Sequence, residues 1–427
     1  MFPENLKMIN LFPTHRDYAG LAKSWKIDFV AGITVGIVAL PLALAFGITT
    51  GAGASAGLIT AVLAGIVAAI FGGSHLQVSG PTGAMTVVLV PIVAHHGIKV
   101  LVPLGIVAGI LVTLSGIFGL GSLINRVPWS VMEGFTLGIA MVIGLQQIPL
   151  ALNVTKAAGE RTIPVAWGTL KQALDSGIKW SSLFIVLSTL AIKFATPHAV
   201  KFFKIPFFIP GSFLSIFIMT GLLWNSHVAK VGEIPKALIN THGRTFGLQG
   251  MTVLAFSYAA FSIAALSGIE SLLSARVADQ MAHHRNLTPT MPNRELFGQG
   301  LATILASAFG GIPATGAIAR TSVNVRSGAS TRFAAITHSL FLILVITVLS
   351  PVISHVPTAT LAAVLIGTSI RIAAPQRLRE LLRTTGPNEI ILIVTASAVL
   401  FIDLIWGIAI GVLLHLLLTK GFKKQIS

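Results

Sequence analysis

The stretch Gly310-Gly-Ile-Pro-Ala-Thr-Gly-Ala-Ile-Ala-Arg-Thr-Ser-Val-Asn324 is a break set inside an otherwise apolar chain. Gly310, Gly311 and Pro313 interrupt the backbone, and a helix-competent run starts at about Ala317, with Arg320 close behind. At membrane depth that full charge costs roughly 2.5–3.5 kcal/mol on insertion scales. A helix that begins in mid-membrane also leaves its first backbone N–H groups unpaired, at the positive end of its dipole. Beside Arg320, such amides predict an anion site rather than a lipid-facing surface, and hence a carrier of small anions.

Membrane depth follows from composition. The 427 residues are 54% hydrophobic and 10% charged, whereas soluble domains carry about a quarter charged residues. The chain is therefore an all-α polytopic membrane protein whose first partner is the lipid bilayer. The net charge of +16 comes from 29 Lys plus Arg against 13 Asp plus Glu. Those basic residues sit between hydrophobic runs rather than along one polar face. They fit positive cytoplasmic loops, and no nucleic-acid partner is expected. There are no cysteines, which excludes disulfides, thiol catalysis and thiolate metal sites. The first 27 residues are polar and contain Glu4 and Asp17, unlike a cleavable signal peptide.

Working outward, the second half offers apolar runs near 251–275, 297–309, 316–328, 331–350, 357–371, 387–403 and 405–419. The first half offers 28–47, 54–71, a short run after Thr86, then 99–119, 129–149, 180–196 and 206–224. The run after Thr86 is too short to cross ~30 Å of hydrocarbon alone. The total is about fourteen spans. An even count puts both ends on one side. That side also collects Lys7, Arg16, Lys23 and Lys26, the trio Lys193, Lys201 and Lys204, and Arg276, Arg285 and Arg294. Arg377, Arg379, Arg383, Lys420, Lys423 and Lys424 join them, whereas loops 151–179 and 225–250 mix acids and bases. Both termini are expected in the cytoplasm, with residues 1–27 and 421–427 as cytoplasmic segments.

An internal repeat organises these runs. Phe71-Gly-Gly73 recurs as Phe309-Gly-Gly311, and Thr82-Gly-Ala-Met85 recurs as Thr315-Gly-Ala-Ile318. Each pair ends one span and opens a broken one. Seven spans per half is odd, so the halves 28–225 and 250–420 would have opposite topology. Paired interrupted segments in inverted halves point to a transporter's central site.

The chain resembles the SulP sulfate-permease family, which includes bacterial relatives of the animal multifunctional anion exchangers. The resemblance rests on "DFVAGITVGIVALPLALAFG" from Asp28, "SGPTGAMTVV" from Ser79 and "GIESLLSARVAD" from Gly268. "PNRELFGQGLATILASAFGG" from Pro292 and "GAIARTSVNVRSGA" from Gly316 complete it. It implies two inverted repeats of seven spans, with half-helices in spans three and ten. Spans 1–4 and 8–11 would form a mobile core domain, and spans 5–7 and 12–14 a gate domain. It also implies transport of sulfate, bicarbonate, halides or dicarboxylates, often by proton or sodium symport, and a homodimer. Family members usually continue into a cytoplasmic STAS domain. This sequence stops at Ser427, so STAS-based regulation is not expected here.

Arg320 is the leading anion-binding candidate, because its fork of donors matches carboxylate or sulfate. The alternative is a structural partner for an acid. Glu270 lies in mid-span, where a carboxyl group either carries a proton or answers Arg320; it is the candidate proton carrier. Thr82, Gly83 and Ala84 would supply the hydroxyl and amides of the first half-helix, and Ala317, Ile318 and Ala319 those of the second. Phe46 falls at a family position whose aromatic ring lines the site. Ser274, one turn after Glu270, is a further polar candidate, or is bonded back to its own helix. Glu133, Gln146 and Gln147 fit packing of the fifth span. His95-His96 and His283-His284 are adjacent pairs whose side chains diverge, so no metal is expected. The glycine-rich piece Gly51–Gly57 lacks a Walker lysine and reads as close helix packing.

The expected function is secondary active transport of a small inorganic or organic anion, sulfate or dicarboxylate, coupled to protons by alternating access. No cofactor beyond a coupling proton or sodium ion is expected, and no enzyme activity, since no nucleophile–base set or phosphate loop is present. A sodium-dependent bicarbonate symporter of the same family is the alternative, although such members tend to have a small residue at the place of Arg320. A passive anion channel or exchanger would use the same site. A nucleobase permease would present carboxylate and amide groups to a neutral ring, which Arg320 argues against.

Overall fold

Runs without a Gly–Pro break form long helices, and the two breaks form short crossed strands. The computed structural model describes residues 11–18, 20–159, 161–204, 210–233, 250–285, 287–373 and 386–423. The first half holds α1 (Leu21–Thr49), α2 (Ala54–Phe71), β1 (Ser79–Gly80), α3 (Gly83–His96), α4 (Leu101–Ile117) and α5 (Trp129–Gln146). It continues with α6 (Ile148–Leu152), α7 (Thr162–Asp175), α8 (Trp180–Phe202) and α9 (Gly211–Leu222). The second half holds α10 (Val253–Ala282), α11 (Pro292–Ala308), β2 (Thr315–Gly316), α12 (Ile318–Arg326) and α13 (Phe333–Ser354). It ends with α14 (Thr358–Ile372), α15 (Pro387–Phe401) and α16 (Leu404–Lys423).

Among the described residues, seven helical stretches are long and apolar enough to cross a membrane, and five more are apolar but shorter. The protein is thus a helical integral membrane protein, and among the described residues several of its apolar helices are shorter than a full span. The shortfall has a physical cause. Crossings interrupted by Gly and Pro, such as α3 and α12, are helical for only 14 and 9 residues. The ninth run begins earlier than its hydropathy suggests, at Pro292, because Arg294 and Glu295 are buried against protein partners. Within the expected 151–179 loop, α7 is an amphipathic helix. It buries Val165, Ala166, Thr169 and Ala173 and leaves Trp167 exposed.

Several of the charges expected in cytoplasmic loops look different in three dimensions. Lys193 is not a loop charge. It is buried within α8, where its Nζ donates to Val364 O (2.6 Å) and Thr368 Oγ1 (2.8 Å) of α14. Arg276 and Arg294 also lie inside helices, on α10 and α11. Lys7, Arg377, Arg379, Arg383 and Lys424 lie outside the described residues, as do the side chains of Arg16, Lys420 and Lys423.

Helix packing repeats itself between the halves. α1 packs on α12 and α13, as α10 packs on α3 and α4; α2 packs on α13, as α11 packs on α4. α2 and α11 pack on each other. Outside this group, α8 lies on α14 and α9, as α15 lies on α5 and α16, and α5 meets α14. Small residues permit the close approaches. A Cβ on Gly57 of α2 would clash with Ala43 O on α1, in keeping with a packing role for the glycine-rich piece.

At the N-terminal face, residues before α1 strap the bundle. Asp17 accepts two hydrogen bonds from Arg294 (2.8 and 2.9 Å) and one from Arg332 (3.3 Å). Arg332 also donates to Ala69 O and Gly72 O at the C-terminal end of α2. Burial alone would raise the Asp17 carboxyl, but the bonds from Arg294 and Thr14 and the charge of Arg332 outweigh it and hold it at about 2. Its contribution to stability is therefore complete above about pH 4 and is lost progressively as pH falls from there through about 2. Replacing Asp17 with Ala strands two buried guanidinium groups and is expected to cost about 3 kcal/mol, read as a lower melting temperature in detergent. An unchanged melting temperature would mean that the strap does not support the bundle.

Candidate functional site

Backbone that is not helical at membrane depth needs hydrogen-bond partners from protein, because lipid offers none. Here each break supplies them to the other. β1 and β2 pair antiparallel, Ser79 opposite Gly316 and Gly80 opposite Thr315. Just outside the ladder, Ala317 N donates to Val78 O (3.0 Å). Val78 N donates to Thr321 Oγ1 (3.1 Å), and Gly316 N to Ser271 Oγ (2.9 Å). α3 and α12 leave this crossing from its opposite ends.

Arg320 is held at the junction, 1% exposed. Its Nη2 donates to Pro81 O (2.5 Å), which pins a side chain of the second half against the backbone of the first. Its Nε and Nη1 make no hydrogen bond to the protein. A buried guanidinium with unused donors is costly, and a site that delivers an anion to them offsets that cost. Gly80 is what makes the room. A Cβ there would clash with Arg320 Nη1, and its φ of +155° also disfavours a side chain.

Opposite, Glu270 Oε2 accepts from Thr82 Oγ1 (2.8 Å) and Thr315 Oγ1 (2.7 Å). The two hydroxyls lie 3.2 Å apart. Thr82 is the N-cap of α3, its hydroxyl accepting from Met85 N (3.4 Å), so its own hydrogen is left for the carboxylate. Arg320 Nη2 is taken by Pro81 O and its other nitrogens meet no protein acceptor, so Glu270 and Arg320 are not in direct contact. The site therefore holds one acid and one base that do not cancel each other within a single bond.

The other expected residues sort as follows. Gly83 and Ala84 are buried at the start of α3. Phe46 is buried, and its ring edge would lie 3.4 Å from a Cβ on Gly83, with Ile143 of α5 closer still. Ile318 and Ala319 open α12, half-buried and exposed respectively. Ala317 departs from expectation: its amide is spent on Val78 O, because the residue belongs to the strand crossing rather than to the free helix start. Ser274 is not bonded back to its own helix; it donates to Thr321 Oγ1 (3.1 Å) and ties α10 to α12. Gln147 reaches from the end of α5 to Thr49 Oγ1 on α1 (3.2 Å).

Sequence reading missed Thr315, Gly80, Ser271 and Glu295. The repeat already paired Thr315 with Thr82, which was the signal for it. Glu295 accepts from Gly73 N (2.8 Å), Ser74 N (2.9 Å) and Gln77 Nε2 (2.7 Å) and so fixes the chain between α2 and β1. Its local sequence places it only at a helix start. No group of three or more His, Cys, Asp or Glu that could hold a metal occurs among the described residues.

Two short helices that start from one strand crossing inside an apolar bundle, with a buried arginine at the junction, have the interrupted-helix arrangement of membrane transporters. Comparison with known proteins agrees. The sulfate permease family model matches residues 25–396, and the chain belongs to that family of anion transporters. YvdB of Bacillus subtilis is 35% identical over 394 residues, covering 91% of this chain and 72% of the relative. The bicarbonate transporter BicA of Picosynechococcus is 29% identical over 409 residues, covering 92% and 69%. The solved transmembrane domain of a cyanobacterial BicA superposes with a TM-score of 0.79 at 25% identity, covering 92% of this chain and 97% of that one. Family members are transporters rather than enzymes.

Gly80→Ala should leave the protein folded in the membrane but displace the guanidinium, weakening anion binding by about tenfold or more. Equilibrium binding of labelled sulfate to purified protein measures this. Wild-type affinity would show that the Gly80–Arg320 contact is irrelevant to the ligand.

Proposed function

We propose that the protein is a secondary active transporter of a small anion, sulfate or a dicarboxylate, coupled to protons and working by alternating access. The observation that carries this reading is Arg320, buried, with Nε and Nη1 unused by the protein. The anion would take those donors together with amides of Gly83, Ala84, Ile318 and Ala319, which face it with the positive ends of two helix dipoles. Glu270 would carry the coupling proton. When protonated it leaves Arg320 and the anion to neutralise each other; when ionised it opposes anion entry. The Thr82 and Thr315 hydroxyls would orient that carboxyl group in both states.

The exchange of packing partners between halves supports two inverted repeats of seven crossings, 28–225 and 250–420. In this reading α1–α4 and α10–α13 form a moving core, and α5, α8, α9 and α14–α16 a gate. Phe46 and Ile143 meet at Gly83 where the two would part. A homodimer in a bacterial inner membrane with cytoplasmic termini completes the proposal. Likeness to the BicA transmembrane domain favours one second reading, sodium-dependent bicarbonate uptake through the same site.

Uptake of labelled sulfate and succinate into proteoliposomes under an inward proton gradient tests both. Accumulation that collapses with a protonophore is expected; bicarbonate uptake that needs sodium and ignores the proton gradient would select the second reading. Arg320→Ala should weaken anion binding by about 30-fold or more, the equivalent of about 2 kcal/mol. Unchanged affinity would remove Arg320 from the site. Glu270→Gln should keep anion exchange but lose pH-driven accumulation, and intact accumulation would reject the coupling role.

A further inference from the structure

A cavity of about 420 Å³ opens at the face of the bundle reached by the C-terminus of α3. It lies between α3 and α10 on one side and α5, α15 and α16 on the other. Three helices begin at its wall: α7 at Arg161–Thr162, α10 near Met251–Ala255, and α16 at Asp403–Leu404. Helix starts turn positive dipole ends toward what they face, although at α10 the Thr252 hydroxyl takes Ala255 N (3.3 Å). Arg161 adds a full charge at the rim, with His95 and His96 beside it. The acid among the lining residues, Asp403, accepts from Ile405 N (2.8 Å) and so caps the start of its own helix.

A second observation is independent of the helix starts. Ser262 of α10 also lines this cavity, is 6% exposed, and its Oγ has no hydrogen-bond partner. A serine inside a helix ordinarily bonds back to the carbonyl four residues earlier. Ser262 does not, and its buried hydroxyl is left for whatever enters. Ser262, Leu266 and Glu270 follow at intervals of four along one face of α10. The hydroxyl thus stands about 12 Å along the helix from the carboxyl group that the central site uses.

We propose that this cavity is a second anion site, a waiting position for a small oxyanion on its way between the membrane surface and Arg320. The order of binding rests on the transport reading above; the anion preference of the cavity does not. Arg161 and the helix starts draw the ligand in, and Ser262 donates to it at the inner end. Asp403 limits the charge the cavity tolerates, which suits a singly or doubly charged ion rather than a polyanion.

The chain is free of cysteine, so Ser262→Cys introduces a single thiol. Its reaction rates are measured in proteoliposomes with an anionic sulfonatoethyl and a cationic trimethylammonioethyl methanethiosulfonate. Relative to a free thiol, the ratio should favour the anionic reagent by at least about fivefold. Arg161→Gln in the same background should pull the ratio back toward the free-thiol value, and millimolar sulfate should slow labelling. Ala259→Cys, on the next turn in the same wall, gives a second probe with the same expectation. Absence of labelling at both positions, or a free-thiol ratio that ignores Arg161, would overturn the proposal. Adding Arg320→Ala separates the two sites: loss of sulfate uptake with the charge preference kept supports both. Uptake that survives Arg320→Ala removes the central reading and leaves the cavity to be judged by its labelling.

Discussion

The hydrogen bond from Arg320 to Pro81 O, with the two-residue ladder beside it, is the constraint on which the rest of the structure depends. A chain that stops being helical in the membrane must find donors and acceptors within the protein. Here neither break could satisfy itself. Val78, Ser79 and Gly80 need Gly316, Thr315 and Ala317, and a side chain of the second half completes the first. The crossing, and the proposed ligand site beside it, are therefore built from both halves.

That dependence explains a set of polar side chains that hold the crossing and its approaches. Glu295 holds the approach to β1 through Gly73, Ser74 and Gln77. Ser271 and Ser274 of α10 fix Gly316 and Thr321. Asp28 takes Ser330 N, Thr331 N and the Thr331 hydroxyl before α13 begins. A rigid cradle leaves few free donors, and those of Arg320 are among the few that remain in its interior. Preorganised donors need little rearrangement when a charged ligand arrives, which is how a buried charge becomes useful instead of merely costly.

Much of this was legible in the sequence because the signals were local. Glycine and proline mark both breaks, the repeat of Phe-Gly-Gly and Thr-Gly-Ala matches them to each other, and a lone arginine or glutamate in an apolar run announces itself. What the sequence concealed was whatever depends on the crossing. Ala317 looks like a helix start but serves the ladder, and Gly80 looks like a turn residue but makes room for a guanidinium. Lys193 and Arg294 look like loop charges because their partners, Val364, Thr368 and Asp17, are remote in the chain. Hydropathy likewise undervalues α11, whose first turn carries charges that are neutralised only after folding.

The most direct measurement is the position of a bound anion. Crystals or vitrified particles of the protein in selenate would locate the ion through its scattering. Density within hydrogen-bond distance of Arg320 Nε or Nη1, between the first turns of α3 and α12, is the expected result. Selenate bound elsewhere, with the guanidinium still unoccupied at a saturating concentration, would contradict the central site.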